Sequence, residues 1–174
     1  MYAIVSLCAL VTIVAGQTTS VSRCKNYPGE LPLHTYVEGC NTPPCQLPQL
    51  QDAVINLVFK SSRVMPSMTT LATAYLGFGI FEVPVPYDLG TNAITCNFLT
   101  NTYCPVLQDE VVTYTLKMYI ESFFPVGTAV TIEFRVVDHN EEPVLCIRMP
   151  VTIVSPVETP DQKSNATLFI NDGQ

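Results

Sequence analysis

Val112-Thr113-Tyr114-Thr115-Leu116-Lys117-Met118-Tyr119-Ile120 alternates in polarity along its length. Val112, Tyr114, Leu116, Met118 and Ile120 fall on one face, while Thr113, Thr115 and Lys117 fall on the other. A period of two puts successive side chains on opposite faces, so this is a strand with one buried side. Working outward, the same pattern returns. Ile132, Phe134 and Val136 oppose Glu133 and Arg135, and Ile147, Met149, Val151 and Ile153 oppose Arg148 and Thr152. Ala53, Ile55, Leu57 and Phe59 form a further stripe, with Val54 and Val58 making its back partly apolar. Residues 69–80 give a weaker strand signal, interrupted by Gly77 and Gly79.

Turn-forming residues separate these windows: Pro43-Pro44, Pro84 and Pro86, Asp88-Leu89-Gly90, Pro125-Val126-Gly127 and Asp138-His139-Asn140. Proline cannot donate to a ladder, so the 14 prolines favour edges and loops. No long window shows helical period. Short strands with one wet face each predict an all-β fold, two antiparallel sheets packed as a sandwich.

The first 16 residues are apolar and then small, too short a run to span a bilayer, and read as a signal peptide. Residues 17–156 form one domain, and residues 157–174 turn polar and read as a poorly ordered tail. The tail holds the sequon Asn165-Ala166-Thr167, an expected glycosylation site, and an apolar triplet, Leu168-Phe169-Ile170. The chain is expected to be secreted, with lysosomal delivery equally compatible.

Charged residues make up only 13% of the chain, the formal net charge is −7, and mean hydropathy is +0.29. An acidic surface repels phosphate backbones, so nucleic acid is not expected as a partner. Catalysis finds little support. The two histidines are His34, opening a strand, and His139, in a turn, and neither has a local orienting group. The acidic pairs Asp109-Glu110 and Glu141-Glu142 lie beside turns, where carboxylates face solvent. No Gly-rich phosphate loop or metal-ligand cluster is present, so no enzyme, cofactor or metal is expected.

Cys8 falls in the leader, which leaves Cys24, Cys40, Cys45, Cys96, Cys104 and Cys146. An even count in an exported chain implies disulfides, whereas zinc is poorly served without a CxxC pair or a nearby histidine. Six cysteines allow fifteen pairings, and spacing does not choose among them.

Several pieces stand in a familiar order. They are Gly39-Cys40-Asn41-Thr42-Pro43-Pro44-Cys45-Gln46-Leu47, Glu82-Val83-Pro84-Val85-Pro86-Tyr87, the loop from Cys96 to Cys104-Pro105, Glu133-Phe134-Arg135-Val136-Val137-Asp138, and residues 146–154. In these the chain resembles the Niemann-Pick type C2 proteins of the ML family of lipid-recognition domains, from about Val21 to Ser155. The resemblance implies an immunoglobulin-like sandwich and the pairing Cys24–Cys146, Cys40–Cys45 and Cys96–Cys104. It also implies a sterol or other lipid held between the sheets, and a membrane or receptor protein as the site of transfer. A monomer is expected.

Carried over by position, Tyr87 is the pocket-mouth aromatic, Ile120 and Phe124 stand across the entrance, Val37 is a wall residue and Phe134 the pocket floor. Ile55, Leu57, Phe59, Leu116, Met118, Ile147 and Met149 join them from the strand faces alone. Glu82 departs from the pattern, and a carboxylate at the mouth would work against membrane docking. Tyr75, Phe78 and Phe81 make the neighbouring segment unusually aromatic, which suits straighter cargo. Three functions are therefore weighed: a sterol carrier, a carrier of fatty acids or small lipophilic signals, and an immunoglobulin-like interaction or innate-immune module whose stripes simply fill a dry core.

Overall fold

The alternating stripes become two facing sheets. The computed structural model describes residues 16–78 and 81–157. Of the expected signal peptide only Gly16 is described, and Asn165 and the other residues beyond Val157 lie outside the described residues. The strands are β1 (Ser22–Arg23), β2 (His34–Val37), β3 (Cys45–Pro48), β4 (Asp52–Lys60), β5 (Met68–Phe78), β6 (Phe81–Tyr87), β7 (Val111–Tyr119), β8 (Ala129–Asp138) and β9 (Pro143–Val154). Two short 3-10 turns, Gly90–Ala93 and Thr95–Phe98, lie between β6 and β7.

The larger sheet runs β1-β9-β8-β5-β6, and the smaller runs β2-β4-β7. Their pairs are antiparallel, except that β3 runs parallel to β9. In the small sheet Ile55 sits opposite Leu116, Leu57 opposite Tyr114 and Phe59 opposite Val112. In the large sheet Phe134 faces Ile147 and Ile132 faces Met149. These cross-strand apolar pairs hold the register, because a one-residue slip would turn every stripe to water. The weakly signalled window becomes β5, a central strand with ladders to both β6 and β8. Its threonines and alanines carry little hydropathy, so pairing on both sides makes the strand.

The three bridges are Cys24–Cys146, Cys40–Cys45 and Cys96–Cys104, with Cα separations of 5.7, 5.4 and 5.7 Å. The first joins the segment after β1 to the middle of β9. Gly29 makes that approach possible. A Cβ there would stand 2.7 Å from the Cys146 nitrogen, and φ is +150°, so only glycine fits.

Between the sheets, buried hydroxyl groups pair with one another. The Tyr114 hydroxyl lies 2.7 Å from Thr70 Oγ1, which lies 2.8 Å from Thr95 Oγ1. Burial pushes the Tyr114 phenol up to about 12, so it stays neutral as a hydrogen-bonding group. Tyr114→Phe is expected to cost about 1–2 kcal/mol, read as a lower urea midpoint at unchanged m-value.

Asp138 ends β8, and its side chain is buried. It accepts from Arg63 Nε at 2.7 Å and from the N–H groups of Asn140 and Glu142 at 2.8 and 3.0 Å. Burial works to raise this carboxyl, but these donors outweigh it and hold it below the usual aspartate range. The Asp138-His139-Asn140 turn is thus organised from within by its own first residue.

Candidate functional site

The two inner faces do not meet everywhere. Toward the end of the sandwich where β7 and β9 finish and β8 begins, they part around an apolar cavity of about 180 Å³. The large sheet supplies Ala74 and Leu76 from β5, Val85 and Tyr87 from β6, Val130 and Ile132 from β8, and Ile153 from β9. Met118 and Ile120 close the opposite wall, and the following loop adds Phe124, Pro125 and Thr128. Ala74 lies in register between Val85 and Ile132. Its single methyl recesses the wall at that point, which leaves the gap that a larger side chain would fill.

One side of the mouth is tied down by Tyr87. Its hydroxyl donates to the Tyr119 carbonyl at 2.8 Å, which links β6 to the end of β7 across the opening between the sheets. Its ring stands 5.9 Å from that of Phe124, and Phe124 stands 4.4 Å from Phe123. The loop bearing these phenylalanines is held from two directions. Gln49 Nε2 donates to the carbonyls of Ser122 and Phe124. The Gly127 N–H donates to the Ile153 carbonyl at 2.8 Å, and the Ile153 N–H to the Thr128 carbonyl at 2.9 Å. Apolar side chains rim the opening in the open: Phe123 is 70% exposed, Val126 54%, Val83 45% and Val85 41%.

Of the residues singled out from the sequence, the cavity brings together Tyr87, Met118, Ile120 and Phe124. Val37, Ile55, Leu57, Phe59, Leu116, Phe134, Ile147 and Met149 do not line it. They are packed as solid core, each 3% exposed or less. Phe134 is therefore a core residue here and not an open floor. Most of the large-sheet wall was not singled out. Ile132 and Ile153 lay on stripes already visible, Val85 lay inside the proline motif, and Ala74 carries no hydropathy signal at all.

Glu82 is not at the mouth. It projects from the outer face of the large sheet, where both its oxygens accept from Arg148 Nη2 at 2.7 Å and Lys25 adds a contact at 3.3 Å. The hydrogen bond from Arg148 is the main reason this carboxyl is held below its ordinary range. Glu133 and Arg148 share that face but are buried, at 2% and 4% exposure. The Arg148 guanidinium stacks 4.4 Å from the Tyr75 ring centroid. Glu133 Oε2 and Arg148 Nη1 stand 3.8 Å apart, and neither has a hydrogen-bond partner. The Glu133 carboxylate also lies within 4.8 Å of the Cys24 and Cys146 sulfurs. Those sulfurs are bonded to each other, so the trio offers no thiolate to a metal.

Burial pushes the Glu133 carboxyl up, and Arg148 and Tyr75 only partly offset it. A carboxyl whose folded pKa is raised contributes stability that is complete below the unfolded value of about 4.3 and is lost as pH rises through the folded value. Glu133→Gln is therefore expected to be more stable than the natural protein at neutral pH, with the difference shrinking as pH falls toward 4. Melting temperatures of both proteins across that range check the sign.

Comparison with known proteins places the chain. A family model described as the ML domain matches residues 18–153. Porcine (Sus scrofa) NPC intracellular cholesterol transporter 2 is 26% identical over 120 residues, spanning 68% of this chain and 74% of that protein. The crystal structure of a Niemann-Pick type C2 protein from Japanese carpenter ant superposes with a TM-score of 0.63 at 18% identity, covering 77% of this chain and 98% of that one. Chicken MD-1 complexed with lipid IVa is more distant, with a TM-score of 0.42 at 10% identity over 67% of this chain and 77% of that one.

Proposed function

The chain belongs to the ML-domain family, and from that premise we propose that it is a secreted carrier which holds a sterol-class lipid between its two sheets. The observation that supports this is the apolar cavity behind the Tyr87–Phe124 mouth, lined without a single charged group. Water gains little there, and apolar surface placed in it contributes about 25 cal/mol per Å². The porcine relative is named as a cholesterol transporter, and a ring system is the kind of guest that slides in between two apolar sheets.

At about 180 Å³ the cavity is smaller than a whole-ligand pocket, which runs to roughly 300–1,000 Å³. Loading therefore requires the walls to part. The side chains placed to give way are Met118 in the wall and Met149 behind it, since methionine repacks with little loss. The exposed rim of Phe123, Val126 and Val83 is the surface through which cargo would pass to a receiving membrane or protein. The paired cysteines suit an oxidising, exported setting.

The same modest volume favours a second cargo, a single acyl chain, which needs less separation of the sheets. Titration of delipidated protein with a fluorescent sterol and a fluorescent fatty acid separates the two. Saturable sterol uptake in the submicromolar to micromolar range is expected. Uptake of the fatty acid alone replaces the first cargo by the second. Uptake of neither by folded protein defeats the carrier reading and leaves an interaction module.

A further inference from the structure

We propose that a polar recess beside the cavity mouth is the subsite for the polar end of the cargo, and that it accepts an uncharged hydroxyl and turns away a carboxylate. This deepens the carrier reading above and rests on it.

The recess holds about 230 Å³, and Tyr87, Asp88, Asn92, Lys117, Tyr119 and Glu121 are among the residues that line it. It shares Tyr87 and Met118 with the apolar cavity, so one aromatic ring and one thioether separate the two spaces. An apolar space too small for a whole lipid, joined to a polar one, matches a guest with a greasy body and a small polar end.

The hydrogen-bonding groups come from the free edge of β7, the outer strand of the small sheet, which is laddered to β4. The Thr113 carbonyl accepts from the Thr100 N–H, and the Tyr119 carbonyl accepts from the Tyr87 hydroxyl. The odd-numbered residues of β7 thus turn their N–H and C=O groups away from β4. Val54, opposite Lys117, agrees: its carbonyl accepts from Glu38, on the β2 side. Lys117 therefore directs one backbone donor and one acceptor toward the recess, and neither has a partner among the described residues. A hydroxyl both donates and accepts, so it satisfies such a pair, whereas an ionised carboxylate only accepts. A guest hydroxyl that displaces the Tyr87 hydroxyl from the Tyr119 carbonyl exchanges one hydrogen bond for another, at little net cost.

Charge adds the selectivity. Asp88 and Glu121 both line the recess. Burial first, and then the carboxylates of Glu121 and Asp88, hold the Tyr87 phenol above its ordinary value, so their negative potential reaches the mouth itself. The Lys117 side chain is exposed on the outer face of the small sheet and does not offset them there. A carboxylate brought alongside meets like charge beside an apolar wall, where screening is weak.

The test titrates full-length, delipidated protein at neutral pH with three pyrene-labelled probes of one chain length: an alkanol, the matching alkanoic acid and the parent alkane. The alkanol is expected to bind about tenfold more tightly than the acid, and D88N/E121Q to narrow that ratio to about twofold. E121Q alone, which removes no side-chain hydrogen bond among the described residues, is expected to narrow it part of the way. The Lys117 amide signal is expected to shift on binding the alkanol and to stay in place with the alkane. Equal affinity for acid and alkanol in the natural protein, a ratio unchanged in both variants, or an unmoved Lys117 amide with alkanol bound overturns the subsite and leaves the carrier reading standing. Uptake of none of the three probes by folded protein overturns the carrier reading and the subsite with it.

Discussion

Ala74→Phe is expected to lower lipid affinity at least ~100-fold while leaving the fold intact. Ala74 is the small residue at the back of the cavity, flanked in register by Val85 and Ile132. A phenylalanine there grows from a strand position already facing the void, so its ring needs no backbone shift. Since a ring occupies most of a cavity near 150 Å³, little of the 180 Å³ remains for a guest. The new side chain buries apolar surface where nothing was packed, so thermal stability should hold or rise slightly. Fluorescent-lipid titration and a melting curve read the two effects separately. Unchanged affinity in a folded Ala74→Phe protein would mean that lipid enters elsewhere.

The second large effect concerns the long bridge. Cys24 and Cys146 are 122 residues apart, whereas the other bridges span 5 and 8. Loop-closure entropy in the unfolded chain gives about 5 kcal/mol for the long bridge and about 2 kcal/mol for the Cys40–Cys45 bridge. C24S/C146S is therefore expected to lose roughly twice as much stability as C40S/C45S, a fall in melting temperature of about 10–20 °C. The bridge also fixes the segment bearing Lys25, which contacts Glu82, and Gly29, which lies against Cys146. Denaturant titration of both double variants measures the ratio, and equal losses would contradict the entropic account.

The strands with one wet face were legible because their alternation is strong. β4, β7, β8 and β9 all follow stripes visible in the sequence. The very short β1 and β3 are set by pairing with β9 and by the bridges beside them, and a strand of two or four residues shows too few alternations to read. Glu82 illustrates a different failure. It alternates with Val83 along β6, and that parity already pointed it away from the cavity wall. Its supposed place at the mouth came from position in the chain, which says nothing about which face a side chain takes.

Glu133 and Arg148 show what parity alone misses. Both occupy outward positions, as their alternation with Phe134 and Ile147 predicts, yet both are buried. Tyr75, Glu82 and the segment around Cys24 cover that face, and covering by remote segments leaves no trace in a local pattern. The cavity has the same origin. Its wall is shaped by the smallness of Ala74 and by where the Phe124–Thr128 loop comes to rest, whereas larger apolar residues at equivalent positions of the same stripes, such as Leu116 and Phe134, pack solid.

The most direct test of the carrier reading is a crystal structure of delipidated protein after incubation with a sterol. The account predicts guest density between Ala74 and Ile132 on one side and Met118 and Ile153 on the other, with Tyr87 and Phe124 around its outer end and the sheets farther apart there than in the empty protein. Density for the guest on an outer face, with the interior still closed by its own side chains, would contradict it.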